Sequence, residues 1–143
     1  CYLDLSVETI LGSADSPTVK YNIQAVNDSD KEISDWYVKI HVKQNVLIDK
    51  QLWGWQLPVE EVEDSEKSEI IYVLRPDDLK IAANNKSRSR SFVLTFKSYQ
   101  EAYSFDITDI EFYYTGGDGN KTVLKPGNNN ITEKNIQERV NTN

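Results

Sequence analysis

Apolar residues recur at every second position through most of residues 2–114, the period of strands with one face buried and one face wet. Leu3, Leu5 and Val7 alternate with Tyr2, Asp4, Ser6 and Glu8 in a first strand over residues 2–11. Gly12 to Pro17 reads as a loop. Beyond it Val19, Tyr21, Ile23 and Ala25 share one phase, and Lys20, Asn22 and Gln24 the other. Asn27-Asp28-Ser29-Asp30 reads as a turn, because these side chains bond their own backbone and tolerate unusual φ values. The cleanest alternation follows, with Trp36, Val38, Ile40 and Val42 set to face a core and Tyr37, Lys39, His41 and Lys43 to face outward.

The pattern is mixed from Val46 to Leu57. Glu60 to Glu69 is nearly all acidic and polar, a surface loop or a poorly paired edge. Ile70, Tyr72 and Leu74 form one face of a short strand that Pro76 ends by lacking a ladder donor. Asp77 to Ser91 reads as a connector that Leu79 and Ile81 pin to the rim. Phe92, Leu94 and Phe96 alternate with Val93, Thr95 and Lys97, and a last strand runs from about Phe105 to Tyr114 with Ile110, Phe112 and Tyr114 on one side. Gly116 to Asn120 closes the sheet region. Pro126-Gly127 and three Asn form a linker, and Thr132 is placed to cap a short helix carrying Ile136 and Val140 on one side.

Seven or so strands with no recurring helical crossover predict an all-β fold, a two-sheet antiparallel β-sandwich of immunoglobulin-like or jelly-roll-like form. The sandwich is expected to span residues 1–119. Residues 120–143 are expected to be a polar linker or tail, whose short helix either docks on the sandwich or frays.

A chain of 143 residues supports one core. Eight Tyr, four Phe and three Trp are more large surface than that core takes, so some aromatics are expected outside. A net charge of -7 and a pI near 4.7 repel a phosphate backbone and an anionic membrane alike, which argues against nucleic acid as a partner. Lys86, Arg88 and Arg90 are the only clustered cations and read as a solvated strand approach that resists edge pairing. One cysteine excludes an internal disulfide framework. No 18-residue apolar run is present, so no transmembrane segment is expected. Cys1 suits either the lipid-bearing first residue of a bacterial lipoprotein or a boundary without chemical meaning. The expected location is extracellular or at the cell surface, with neighbouring domains in a larger secreted protein.

Catalysis finds no support. His41 is the only histidine and falls among Lys39 and Lys43 on the outward phase, as a solvated strand residue. No Ser or Cys has a base beside it in a recognisable motif. Glu60, Glu61, Glu63, Asp64, Glu66 and Glu69 are crowded into one segment, which supplies no controlled separation for a glycosidase pair. No cofactor is expected and a zinc site lacks ligands. Calcium, which takes hard oxygen ligands, has candidate loops at Asn27 to Asp30, Glu60 to Glu66, and Asp118 with Asn120; none matches the twelve-residue calcium loop, and solvated loops account for them better.

The aromatics carry the functional signal. Trp53 and Trp55 are two apart, so in an extended segment both leave on the same side, about 6.5 to 7 Å apart, with Gly54 leaving the other side bare. Indole faces cover the C–H faces of sugar rings while Gln51 or Gln56 bonds hydroxyls. Tyr37 and Tyr113, outward by phase, would enlarge such a platform. The competing reading places one or both tryptophans in the core.

Asn27 to Asp30, then Ile33-Ser34-Asp35-Trp36 running into Val38, Ile40 and Val42, resembles the bacterial cellulose-binding β-sandwich of carbohydrate-binding module family 2. Leu52-Trp53-Gly54-Trp55 looks like the following Trp-bearing segment of that family, and Lys86 to Phe96 is similar to its late polar turn and Phe-rich strand. The resemblance implies a non-catalytic module that binds a β-glucan-like polysaccharide, with Trp36 structural and Trp53 or Trp55 on the ligand. Similar sandwiches serve as cohesin-like, adhesin or filament modules, so a structural or scaffold domain that docks a protein partner stands as the alternative.

Overall fold

A computed structural model describes residues 1–50, 52–106, 109–124, 128–130 and 136–137. The chain forms two packed sheets. The strands are β1 (Tyr2–Ser13), β2 (Ser16–Asn27), β3 (Ser34–Lys43), β4 (Leu47–Ile48), β5 (Glu60–Asp64), β6 (Glu69–Leu74), β7 (Asn85–Lys86), β8 (Arg90–Thr95), β9 (Ile110–Thr115), β10 (Lys121–Leu124) and β11 (Asn128–Asn130), with one helix, α1 (Tyr99–Ser104), before β9. One sheet runs β11-β1-β2-β8-β4 with β7 paired to the end of β2, and the other runs β10-β9-β3-β6-β5. Pairing is antiparallel except between β1 and β11. This is the expected two-sheet antiparallel sandwich, with a short helical segment at Ile136–Gln137 near the C-terminus.

The core is the set of inward phases. Leu3, Leu5, Val19, Tyr21, Ile23, Phe92 and Leu94 face Trp36, Val38, Ile40, Tyr72, Leu74, Ile110 and Phe112 across the sandwich, all buried. Tyr21 stacks on its register partner Phe92 with centroids 5.0 Å apart. Asn27 closes the expected turn. Its amide donates to the carbonyls of Lys31, Ile81 and Ala82, and its oxygen accepts from the Ser29 N–H and hydroxyl. Those bonds tie the β2 end to the Ile33–Ile81 bridge, so this candidate calcium loop is used to fasten two connectors.

Several expectations change. Gly12 to Pro17 is not a loop: β1 and β2 continue to Ser13 and Ser16 and meet in a tight hairpin. The acidic segment, by contrast, follows one of its two expected readings: it supplies β5, the outer strand of its sheet, with exposed carboxylates of both phases along the edge. A helix occupies Tyr99–Ser104, where no element was expected, and the last strand begins at Ile110 rather than near Phe105. Ser98 caps the helix by accepting the Glu101 N–H at 3.2 Å, and the Glu101 carboxylate accepts the Lys97 N–H at 3.1 Å, close to a reciprocal capping box.

Residues 121–124 and 128–130, expected to be linker or tail, each add a strand to a sheet. Ile136 is fully buried in the core. Polar strands at sheet edges need only backbone pairing, which hydrophobic periodicity does not reveal. The expected helix cap Thr132 and its apolar partner Val140 lie outside the described residues.

Candidate functional site

The bend at Gly54 decides what the tryptophans do. Gly54 has φ +86, a left-handed conformation that favours glycine, so residues 53–55 are not extended and the same-side spacing fails. Trp53 points to solvent with 65% exposure, and Trp55 turns into the core with 5%. The expected two-indole platform is therefore absent. Trp55 donates its indole N–H to the Ser91 carbonyl at 2.9 Å and meets Trp36 edge-on with centroids 6.1 Å apart. Trp36 donates to the Asp78 carbonyl at 2.9 Å.

Arg90 holds this cluster. It was expected to be a solvated cation, yet it is 1% exposed. Its Nε donates to the Gly54 carbonyl at 2.8 Å, Nη1 to the Arg88 carbonyl at 3.1 Å, and Nη2 to Asp77 Oδ1 at 2.7 Å. The guanidinium carbon sits 5.5 Å from the Trp36 ring centroid and 5.8 Å from that of Trp55. A buried charge is tolerated because its donors have oxygen partners and two π faces lie beside it. The hydrogen-bonded guanidinium holds the Asp77 carboxyl below the usual carboxylate range.

On the opposite face of the β3 sheet lies a second aromatic cluster. A bulge in β3 between Ser34 and Tyr37, with Asp35 at φ +50, precedes the regular alternation that sends Trp36 inward and Tyr37 outward. Tyr37 is paired in register with Tyr113, and the rings stack at 4.7 Å with an interplanar angle of 3°. Arg75 lies over Tyr37 at 4.5 Å from the centroid, and Lys39 Nζ lies 4.8 Å from the Tyr113 centroid. Burial, with Glu111 next to it, raises the Tyr113 phenol above its usual range. With their faces engaged, the two tyrosines offer edges and hydroxyls to a ligand.

Tyr37, Gln56, Arg75, Tyr113, Asp35 and Lys121 line one shallow hollow of about 430 Å³. Three residues expected at the site, Tyr37, Gln56 and Tyr113, thus come together. Gln56 is anchored there, its N–H donating to the Arg75 carbonyl at 2.7 Å and its side-chain amide to the Pro76 carbonyl at 2.9 Å. Trp53 is three residues from Gln56, so its Cα lies within roughly 11 Å of the hollow's wall. Gln51 lies outside the described residues, and Trp55 is withdrawn into the core. Arg75 was assigned no role from the sequence. Its signal was the outward phase of Ile71 and Val73, which Arg75 continues.

The other candidates settle as structure. His41 Nε2 is 2.6 Å from Glu111 Oε1, with Glu69 3.7 Å from Nδ1, so it is a half-buried rung of the outer sheet face rather than a freely solvated residue. Asp118 accepts from the backbone and side-chain amides of Asn120 at 3.0 Å in the β9–β10 turn. Among the described residues no group of three or more His, Cys, Asp or Glu is placed to hold a metal ion. Among those residues, too, no helix is long and apolar enough to cross a membrane.

Known structures of similar fold include carbohydrate-binding modules. The carbohydrate-binding module CBM3b from the cellulosomal cellobiohydrolase 9A of Clostridium thermocellum superposes with a TM-score of 0.52 at 15% identity, over 87% of this chain and 97% of that one. A family 3b module from the biomass-sensing system of Clostridium clariflavum gives 0.45 at 13% identity, over 78% and 90%. A GH20 exo-β-N-acetylglucosaminidase from Vibrio harveyi gives 0.49 at 11% identity, over 87% of this chain; the chain spans only 17% of that enzyme's length. The two Clostridium modules are of family 3b, not the family 2 that the sequence resembles, and at 15% identity the likeness to the Clostridium thermocellum module shows the fold alone. No protein-family model matches the chain, and no curated protein matches it.

Proposed function

We propose that this chain is a non-catalytic module that binds a β-glucan-like polysaccharide, on a secreted or cell-surface bacterial protein. The observation that carries the reading is the bare indole of Trp53, which stands three residues along the chain from Gln56, one of the residues lining the hollow that gathers Tyr37 and Tyr113. Trp53 supplies the flat apolar face for a sugar ring. The tyrosine hydroxyls and the Gln56 amide supply directional bonds to ring hydroxyls, a division of labour usual in carbohydrate and small-ligand sites. The fold shared with the Clostridium thermocellum module supports the same reading.

Covering one indole face, on the order of 75 Å², contributes about 2 kcal/mol at ~25 cal/mol per Å². That corresponds to roughly thirtyfold in affinity. Titration of wild type and Trp53→Ala against a panel of neutral glycans, with circular dichroism as the folding control, tests it. The variant should stay folded and bind about thirtyfold more weakly. Stacking involves no ion pair, so binding to neutral chains should vary little between 50 mM and 500 mM salt. Wild type that binds no glycan would instead favour a scaffold or adhesion role with a protein partner.

A further inference from the structure

The hollow's charge departs from that of the chain. The protein carries -7, yet the lining holds Arg75 and Lys121 against one carboxylate, Asp35; just outside it Lys39 and Glu111 flank Tyr113, and Glu60 lies beside Arg75. Arg75 is already oriented. Its guanidinium rests on the Tyr37 ring at 4.5 Å, which holds the planar fork in place before a ligand arrives. Its acidic partner among the described residues is loosely held: Glu60 Oε2 is 3.5 Å from Nη2, and both side chains are about half exposed. Such a contact contributes little and is readily exchanged. Arg90 makes the contrast plain, since its donors are taken up by Gly54, Arg88 and Asp77.

A positioned guanidinium with replaceable partners, beside phenols and an amide, matches a carboxylate carried on a polyhydroxylated ring. The fork takes the two carboxylate oxygens, and Tyr37, Tyr113 and Gln56 take hydroxyls. The acidic field around the hollow disfavours a densely charged polyanion. Resting on the carbohydrate-binding reading above, we infer that the hollow recognises a uronic acid residue borne on an otherwise neutral polysaccharide, with Arg75 as the carboxylate ligand and Lys121 as a supporting charge.

The test is a matched pair of probes: glucuronoxylan oligosaccharides, and the same oligosaccharides after chemical reduction of the carboxyl groups to alcohols. Wild type should bind the acidic form at least tenfold more tightly at 50 mM salt, and this ratio should shrink by 500 mM. In Arg75→Gln, an exposed position whose fold circular dichroism verifies, the ratio should fall to about one. Lys121→Gln should reduce it two- to threefold. Equal affinity of wild type for the two forms overturns the inference and leaves the neutral-glycan reading standing. Binding of neither form, together with no binding to the neutral panel, removes both. A glutamate-rich peptide that displaces the acidic oligosaccharide at equal concentration also overturns it, by showing that charge alone is read.

Discussion

Two arginines rest on aromatic rings on opposite faces of the same sheet, one in each cluster. Arg90 lies against Trp36 and Trp55 in the core, and Arg75 lies on Tyr37 in the outer hollow. The chemistry is nearly the same and the surroundings are not. Arg90 binds two carbonyls and a carboxylate, so it fastens the Trp53–Gly54–Trp55 bend to the β8 strand. Arg75, 47% exposed, rests on Tyr37 and meets Glu60 loosely at 3.5 Å. An arginine whose donors are spent on its own chain holds structure together, whereas one held in place by a ring and lightly paired is available to a ligand. Adjacent residues Trp36 and Tyr37 divide the two roles because a strand sends successive side chains to opposite faces.

The comparison breaks first at the buried cluster. Trp36→Ala should cost about 3–5 kcal/mol in urea unfolding, the range for truncating a core aromatic. Gly54→Ala should cost about 1–2 kcal/mol, since φ +86 disfavours a side chain and the new Cβ would lie 3.0 Å from Arg90 Nε. Tyr21→Phe sharpens the point. The Tyr21 hydroxyl is buried without a hydrogen-bond partner among the described residues, so its removal should be neutral or stabilising by up to about 1 kcal/mol in thermal melts. In the outer cluster Arg75→Ala should leave stability within about 0.5 kcal/mol, as for an exposed surface residue.

Two carboxylates should respond to pH with opposite signs. Asp77 is depressed in the folded state by Arg90, so it adds stability above the unfolded carboxylate value of about 3.9, lost as pH falls through the folded-state pKa. Asp77→Asn should flatten that acid-side loss in unfolding curves measured from pH 2 to 5. Burial raises Asp109, so its ionised form disfavours folding. Asp109→Asn should stabilise at pH 7, and the gain should shrink as pH falls toward 4.

The strands of the core were legible where both faces obey period two, as in Val19 to Ala25 and Trp36 to Val42. The Asn27 turn was legible from side-chain chemistry. Period two failed at Trp53–Trp55 because one glycine leaves the extended region, which no alternation pattern registers. Arg90 was misread because its neighbours Lys86 and Arg88 are exposed and its burial depends on carbonyls that only the fold brings near. The helix had a local mark, Ser98 three residues before Glu101, that alternation in the flanking strands obscured. Of the site, Tyr37, Gln56 and Tyr113 were readable from phase and composition. Arg75 and Lys121 join them only through the pairing of β6, β3, β9 and β10.

The three indole N–H groups distinguish the clusters in one experiment. Trp36 and Trp55 each donate to a carbonyl inside the fold, and Trp53 stands in solvent. Titrating ¹⁵N-labelled protein with a β-glucan oligosaccharide and following the indole resonances should shift Trp53 progressively to saturation while Trp36 and Trp55 stay in place. A saturating titration in which Trp53 does not move, or in which all three move together, would contradict the assignment of structure to the buried cluster and recognition to the exposed one.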